Sequence, residues 1–293
     1  MRILTISFFL ALPLRTIAWG ADGHKAVGEI AMEAKTKTFV ETLLGEDTLG
    51  DVASWADEVR SQHGYAWSAP LHYVDARDHP PTSCSVQQAR DCERSGCILS
   101  AISNYTTRLV DPGLDRKQKQ EAVKFLIAHF IGDVGQPLHV EGVSKGGNDI
   151  QVKCVGRRMN LHAVWDEGII EQILREKYEN SVEVWVESLV GRIKNGEYDT
   201  STWFTCSAPS SSCPMVWAKE SNALGCSLVF TYPDYPDLCE SEAGYYELAV
   251  PVIEKQIVRQ GMRLGVWLNG LVGLAVGGGL KVQVEADQRA FSM

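Results

Sequence analysis

The chain has 293 residues, with 28 Lys and Arg against 37 Asp and Glu; it is 45% hydrophobic and 22% charged and carries a net charge of −9. These proportions belong to an ordinary globular protein and exclude collagenous, coiled-coil and disordered chains. The acidic balance argues against a protein that holds nucleic acid by counterion release from a broad Lys/Arg surface, but an enzyme can recruit phosphate through bound metal cations, which a side-chain count does not register.

Residues 1–18 read as a secretory signal peptide. Arg2 opens the segment, an apolar run follows from Ile3 to Leu14, and the small residues Thr16 and Ala18 close it. The run falls short of the ~18 apolar residues of a membrane span. Cleavage after Ala18 would make Trp19 the mature N-terminus and, by removing two arginines, would take the net charge from −9 to −11. No later run is long enough for an anchor, so a secreted protein without a membrane partner is expected.

The rest reads as one mainly α domain over 19–271, a helical bundle. From His24 to Leu44, Val27, Ile30, Ala31, Ala34, Val40 and Leu43 recur at helical intervals. Further helices are expected near 97–110, 160–175, 181–194, 214–224 and 242–269. The segment 121–135 is apolar nearly all round, which marks a helix through the core. Pro214 suits a helix start, whereas Pro251 should kink or split the last helix. Gly146-Gly147-Asn148-Asp149 supplies turn chemistry, and Ile150, Val152 and Val155 suit a short β-ribbon near 148–157. The tail 272–293 has a Gly-rich break and no clear period.

Eight cysteines in a secreted chain suggest disulfides. Cys92 and Cys97, and Cys206 and Cys213, are near enough in sequence to close local loops; the other connectivities stay open. A cysteine zinc site is disfavoured because short CxxC knuckles are absent. Asn104-Tyr105-Thr106 is a glycosylation sequon.

Histidines carry the chemistry. His129 and Asp133 stand four apart on the apolar central helix, so both project from one face. An imidazole and a carboxylate in such a place need a strong partner, and metal ligation provides one. His162 and Asp166 repeat the spacing, with Asn160 placed as a helix cap, and His139 follows Pro137-Leu138. His139, His162 and Asp166 would form a three-donor set that leaves room for water or substrate, the catalytic rather than the structural zinc arrangement. Asp57 and His72, the latter in a second Pro-Leu-His, would join His129 and Asp133. Trp19, once freed by cleavage, offers its α-amino nitrogen and carbonyl beside His24, with Asp133 as a bridge. His63 and His79, in polar loops, read as ordinary surface residues.

Trp19-Gly-x-x-Gly-His24, Ser54-Trp55-Ala56-Asp57, Pro70-Leu71-His72-Tyr73-Val74-Asp75, His129-x3-Asp133-x5-His139, Gly146-Gly147-Asn148 and His162-x3-Asp166 follow one another in the chain. In this order they resemble the secreted, zinc-dependent, single-strand-specific nucleases of fungi and plants, from Trp19 to about residue 270. The resemblance implies a mainly helical fold with three zinc ions at the bottom of a cleft. One ion would be held by Asp57, His72, His129 and Asp133, one by His139, His162 and Asp166, and one by Trp19, His24 and Asp133. It implies Arg60 for phosphate oxygens, Tyr73 for base stacking, and Asp75 and Asn148 for the base edge. Single-stranded DNA and RNA and 3′-nucleotides would be the substrates, 5′-phosphates the products and a monomer the working form. It also implies Cys84–Cys226 and Cys92–Cys97 disulfides, leaving Cys154 and Cys239 unassigned. The rival readings are a zinc-dependent phospholipase C, which shares the scaffold but where a glutamate would be expected in place of Asp166, and a non-catalytic, zinc-stabilised binding protein.

Overall fold

In a computed structural model, the structure describes residues 19–32, 37–125, 129–206, 210, 212–240 and 244–276. The expected leader and most of the tail lie outside these residues. Helix Gly20–Met32 buries Val27, Ile30 and Ala31 and packs most extensively against the last helix, Tyr245–Val276. The two approach closely at Gly261, where a Cβ would stand 2.6 Å from Ile30 Cγ2. Helix Val182–Lys194 covers another side of Gly20–Met32, while Ile98–Val110 pairs with Arg116–Phe125. Everything described from His129 to Val140 is buried, so this segment runs through the core as its composition predicts. The fold is mainly helical, with one two-stranded antiparallel sheet among the described residues. No described helix is long and apolar enough to cross a membrane.

The elements differ from expectation in instructive places. Within the stretch 24–44, read as helical from its periodicity, the described residues lie in Gly20–Met32 and Lys37–Leu44, both helical. The last helix runs unbroken through Pro251 and on to Val276, past the expected end at 269. Proline deprives the Glu247 carbonyl of its partner, but Glu247, Leu248 and Pro251 are exposed, so water can satisfy it. Pro214 sits in the first turn of Cys213–Ser227, as its missing N–H favours.

The ribbon lies about three residues later than 148–157. Its strands are β1, Gln151–Cys154, and β2, Arg157–Asn160, paired with Val152 opposite Met159 and Cys154 opposite Arg157. Gly146-Gly147-Asn148 makes a turn leading into it, and the hairpin turn itself is Val155-Gly156, with φ of +49° and +71°. Two positive φ angles match the twist of a tight hairpin, yet a β-branched valine adopts one unwillingly. The Asp237 carboxylate offsets the strain by accepting the Val155 N–H at 2.9 Å and the Gly156 N–H at 2.7 Å.

Four disulfides are present: Cys84–Cys226, Cys92–Cys97, Cys206–Cys213 and Cys154–Cys239. The last joins the ribbon to the loop after Asp237. Asn104 is exposed on Ile98–Val110. Because Cys154–Cys239 closes a separation of 85 residues, the double change Cys154→Ala/Cys239→Ala should cost about 2–4 kcal/mol, read as a lower denaturant midpoint. An unchanged midpoint would show that the bond constrains nothing.

Candidate metal centre

Asp57 projects from the short helix Trp55–Arg60. The two Pro-Leu-His tripeptides adopt the same conformation: His72 ends the 3-10 turn Ala66–His72 and His139 lies in Pro137–Val140, each after a buried leucine. Both His-x3-Asp pairs fall on helix wound partly as π turns, at 129–130 and at Val164–Gly168. Such local widening is frequent where function demands it. Asn160 caps the second of these helices, its side chain accepting the Ala163 N–H at 2.7 Å, as expected.

These elements bring the predicted side chains together. His129 Nε2 lies 2.8 Å from His72 Nδ1, 3.4 Å from Asp57 Oδ1 and 3.2 Å from Asp133 Oδ2. His72 Nδ1 is 3.5 Å from Asp57 Oδ1 and 3.3 Å from Asp133 Oδ2. A tetrahedron of N and O ligands ~2.0–2.1 Å from zinc has edges of ~3.3 Å, so these four donors stand about where such an ion needs them. A second group has His139 Nε2 at 3.1 Å from His162 Nε2, which is 3.1 Å from Asp166 Oδ2. His24 Nε2 lies 3.1 Å from Asp133 Oδ1, and its ring stacks on His129 with centroids 4.0 Å apart. Trp19 is buried, and its N lies 3.2 Å from Asp166 Oδ1, so the N-terminal position also touches the second group.

Backbone carbonyls orient three of the rings. His129 Nδ1 donates to Ala53 O at 2.9 Å, His139 Nδ1 to His72 O at 2.7 Å and His162 Nδ1 to Gly146 O at 2.6 Å. A carbonyl only accepts, so in each neutral ring the proton sits on Nδ1 and the Nε2 lone pair faces the centre. Gly146 takes φ of +60° to present that oxygen. Both oxygens of Asp57 and of Asp133, Asp166 Oδ2 and His24 Nε2, all facing the centre, are buried without a hydrogen-bond partner. Burying several such groups unpaired costs several kcal/mol, and divalent cations would satisfy them together. The donor set therefore fits metal.

Electrostatics agrees. Burial would raise the Asp57 carboxyl, but His129, His72 and Arg60 hold it at about 2. Burial likewise would raise Asp133, which His129 and His139 bring well below the usual carboxylate range. Burial lowers His72 to about 4, while for His129 the carboxylates of Asp133 and Asp57 overcome burial and raise it to about 10. A proton held by His129 among these carboxylates stands where a cation would, and metal binding displaces such protons.

The centre opens into a cleft of about 700 Å3 whose lining includes Arg60, Tyr73, Asp75, His139, Asn148 and His162. Arg60 Nη1 lies 3.3 Å from Asp57 Oδ1, Tyr73 is exposed, and Asn148 donates to Lys145 O at 2.8 Å. His79, an ordinary loop residue by sequence, also borders the cleft and is exposed; His63 is exposed on the surface. Sequence reasoning missed Gln136. Fully buried, it donates through Nε2 to Asp166 Oδ1 at 2.6 Å, and its Oε1 accepts the Leu138 N–H at 2.6 Å. Its only signal was its place before Pro137, where a side chain caps the turn carrying His139. Also unforeseen is a buried carboxyl pair, Asp78 and Glu141, in which burial first and Asp78 next raise Glu141 to about 7.

A helical scaffold that gathers imidazoles and carboxylates from separate segments on the floor of an open cleft defines a metal-dependent enzyme. Residues 19–273 match the S1/P1 Nuclease family. The chain is 37% identical over 269 residues to nuclease PA3 of a Penicillium species, covering 87% of this chain and 98% of that protein. It is 36% identical over 284 residues to nuclease S1 of Aspergillus oryzae, covering 92% and 97%. To endonuclease 4 of Arabidopsis thaliana it is 34% identical over 271 residues, covering 86% and 89%. The chain belongs to the S1/P1 nuclease family, and it is a hydrolase of nucleic-acid phosphodiester bonds.

Because the Gln136 side chain hydrogen-bonds Asp166 Oδ1 and the Leu138 N–H, Gln136→Ala should weaken metal binding at the His139/His162/Asp166 group by about 10–100-fold. Metal retained after dialysis against graded chelator would record it; full retention would leave Gln136 a mere turn cap.

Proposed function

We propose that the processed chain is a secreted, monomeric endonuclease that hydrolyses single-stranded DNA and RNA to 5′-phosphate products and also dephosphorylates 3′-nucleotides. The observation that carries this reading is the convergence of two buried His-x3-Asp pairs with His72, His139 and Asp57 beneath a cleft edged by a cation and an exposed aromatic ring. Four disulfides agree with passage through an oxidising compartment.

Three zinc ions suit the donors. Asp57, His72, His129 and Asp133 would hold one, and His139, His162 and Asp166 a second. The Trp19 amine and carbonyl, His24 and the shared Asp133 would hold the third. When bound, such ions supply Lewis acidity at the phosphodiester and lower the pKa of water toward neutrality.

The chain's own residues do the rest. Arg60, anchored against Asp57, presents its guanidinium at the cleft to non-bridging phosphate oxygens. The Tyr73 ring offers a stacking face worth ~1–3 kcal/mol to a base. A base inside a duplex keeps its own stack and cannot reach that ring, which is the physical source of single-strand preference. Asp75 is raised by burial and by the nearby Glu93, and with Asn148 it faces the cleft as a partner for the base edge. While Ala18 precedes it, Trp19 N is an amide; only after cleavage is it an amine able to ligate.

Release of acid-soluble nucleotides from denatured DNA, run beside cleavage of phosphatidylcholine micelles, tests the activity. Nucleotide release without lipid cleavage is expected, and lipid turnover alone would overturn the reading. Asp133→Asn should lower nuclease turnover by roughly a thousandfold, since several kcal/mol of charge stabilisation depends on its ions, and should remove more metal per chain than Asp166→Asn. One extra residue before Trp19 should abolish most activity in a protein that melts as the wild type does. Full turnover in that variant would dismiss the N-terminal ligand.

A further inference from the structure

The β-ribbon grows directly out of the cleft wall. Its base rung pairs Gln151 with Asn160, three residues after Asn148 and two before His162. The next rung on the same face pairs Lys153 with Arg158, two residues or ~7 Å further out. Both side chains are exposed. Like charges directly opposite one another on a ribbon repel and destabilise it.

Neighbouring cations have found partners: Lys145 pairs with Asp149 at 3.2 Å, and Arg157, on the other face, with Glu171 at 3.0 Å. Lys153 and Arg158 pair with no carboxylate among the described residues. The buried Asp237, which could have served, spends its oxygens on the Val155, Gly156 and Cys239 N–H groups. Asp234 lies in the same loop but does not border the groove described next.

Lys153 and Arg158 line a groove of about 310 Å3 together with Gln151, Tyr232 and Tyr235. Both tyrosines are half-buried. Tyr235 is held edge-on against Tyr245, with centroids 5.4 Å apart, so its ring is fixed in place. Two cations and two aromatic rings on one groove supply the partners that the phosphates and bases of an unpaired strand need, and such platforms bind without reading sequence.

We propose that this face, the Lys153/Arg158 rung with Tyr232 and Tyr235, binds the single-stranded segment flanking the bond cut at the metal centre. It would act as an exosite that raises affinity for polymers and leaves the cleavage step alone. The inference rests on the nuclease reading. None of the four residues belongs to the proposed metal or phosphate machinery.

The test uses the metal-loaded enzyme and the double variant Lys153→Gln/Arg158→Gln, with a long single-stranded oligonucleotide and a 3′-mononucleotide as substrates. Two lost phosphate contacts, each with a salt exponent of ~0.7 on single strands, should lower the exponent for oligonucleotide binding by ~1.4 and raise its KM roughly 25-fold at ~0.1 M salt. The kcat for oligonucleotide and both constants for the mononucleotide should not change. The unfolding midpoint should hold or rise, because the repulsion is relieved. Tyr232→Leu, which leaves the charges in place, should raise the oligonucleotide KM without altering the salt exponent. An unchanged KM and exponent in the double variant would overturn the exosite, as would equal losses on both substrates. Should the wild type cleave neither substrate, the nuclease reading falls by itself. Anisotropy of a labelled oligonucleotide then still decides the exosite: weaker binding by the double variant upholds it, and equal binding overturns it.

Discussion

A carboxylate with no solvent is the constraint around which the molecule is arranged. Asp133 is fully buried, with Oδ1 toward His24 and Oδ2 toward His72 and His129. Ionised in such surroundings, it can persist only if cations or donors meet both oxygens. Four chain segments bring imidazoles to it: the N-terminal helix, the 3-10 turn ending at His72, its own helix and, at 3.7 Å, the turn carrying His139. The close approach of Gly20–Met32 to the last helix holds the first of these in place. Trp19 N reaches Asp166 Oδ1 at 3.2 Å, so in the proposed enzyme removal of a leader and completion of the site would be one event.

Order then spreads outward by hydrogen bonds that fix direction. Ala53, His72 and Gly146 carbonyls aim rings inward, and Gln136 couples the turn carrying His139 to the carboxylate of Asp166. His72 serves twice, its ring in one donor group and its carbonyl steering His139 of the other. The ribbon carries the same order to the surface, since Asn160 ends β2 and caps the helix of His162.

Much of this was legible because it depends on short-range periodicity. A spacing of four keeps two side chains on one side of an α-helix, and it still does so where the winding loosens to a π turn, so His129/Asp133 and His162/Asp166 could be read as pairs. Pro-Leu-His, met twice, is local chemistry and produced the same local turn twice. The ribbon was displaced because Gly-Gly-Asn looks like a hairpin turn, whereas the actual turn, Val155-Gly156, is made tolerable by Asp237 from a remote loop. Cys154–Cys239 depends on that same remote approach, which no local pattern records. Pro251 does not split the last helix: its ring crowds the Glu247 carbonyl and leaves it without a helical partner, but that carbonyl lies on an exposed face where water reaches it, and exposure is a tertiary property. Gln136 was invisible because a buried amide and a solvated one are the same letter.

The central claim is that these orphaned donors exist to hold several cations around Asp133. Anomalous scattering at the zinc edge from crystals of the processed protein tests it most directly. The account predicts three peaks: one among Asp57, His72, His129 and Asp133, one among His139, His162 and Asp166, and one between His24, Asp133 and the Trp19 terminus. A map with no peak touching Asp133, its oxygens instead paired with protonated imidazoles, would contradict it.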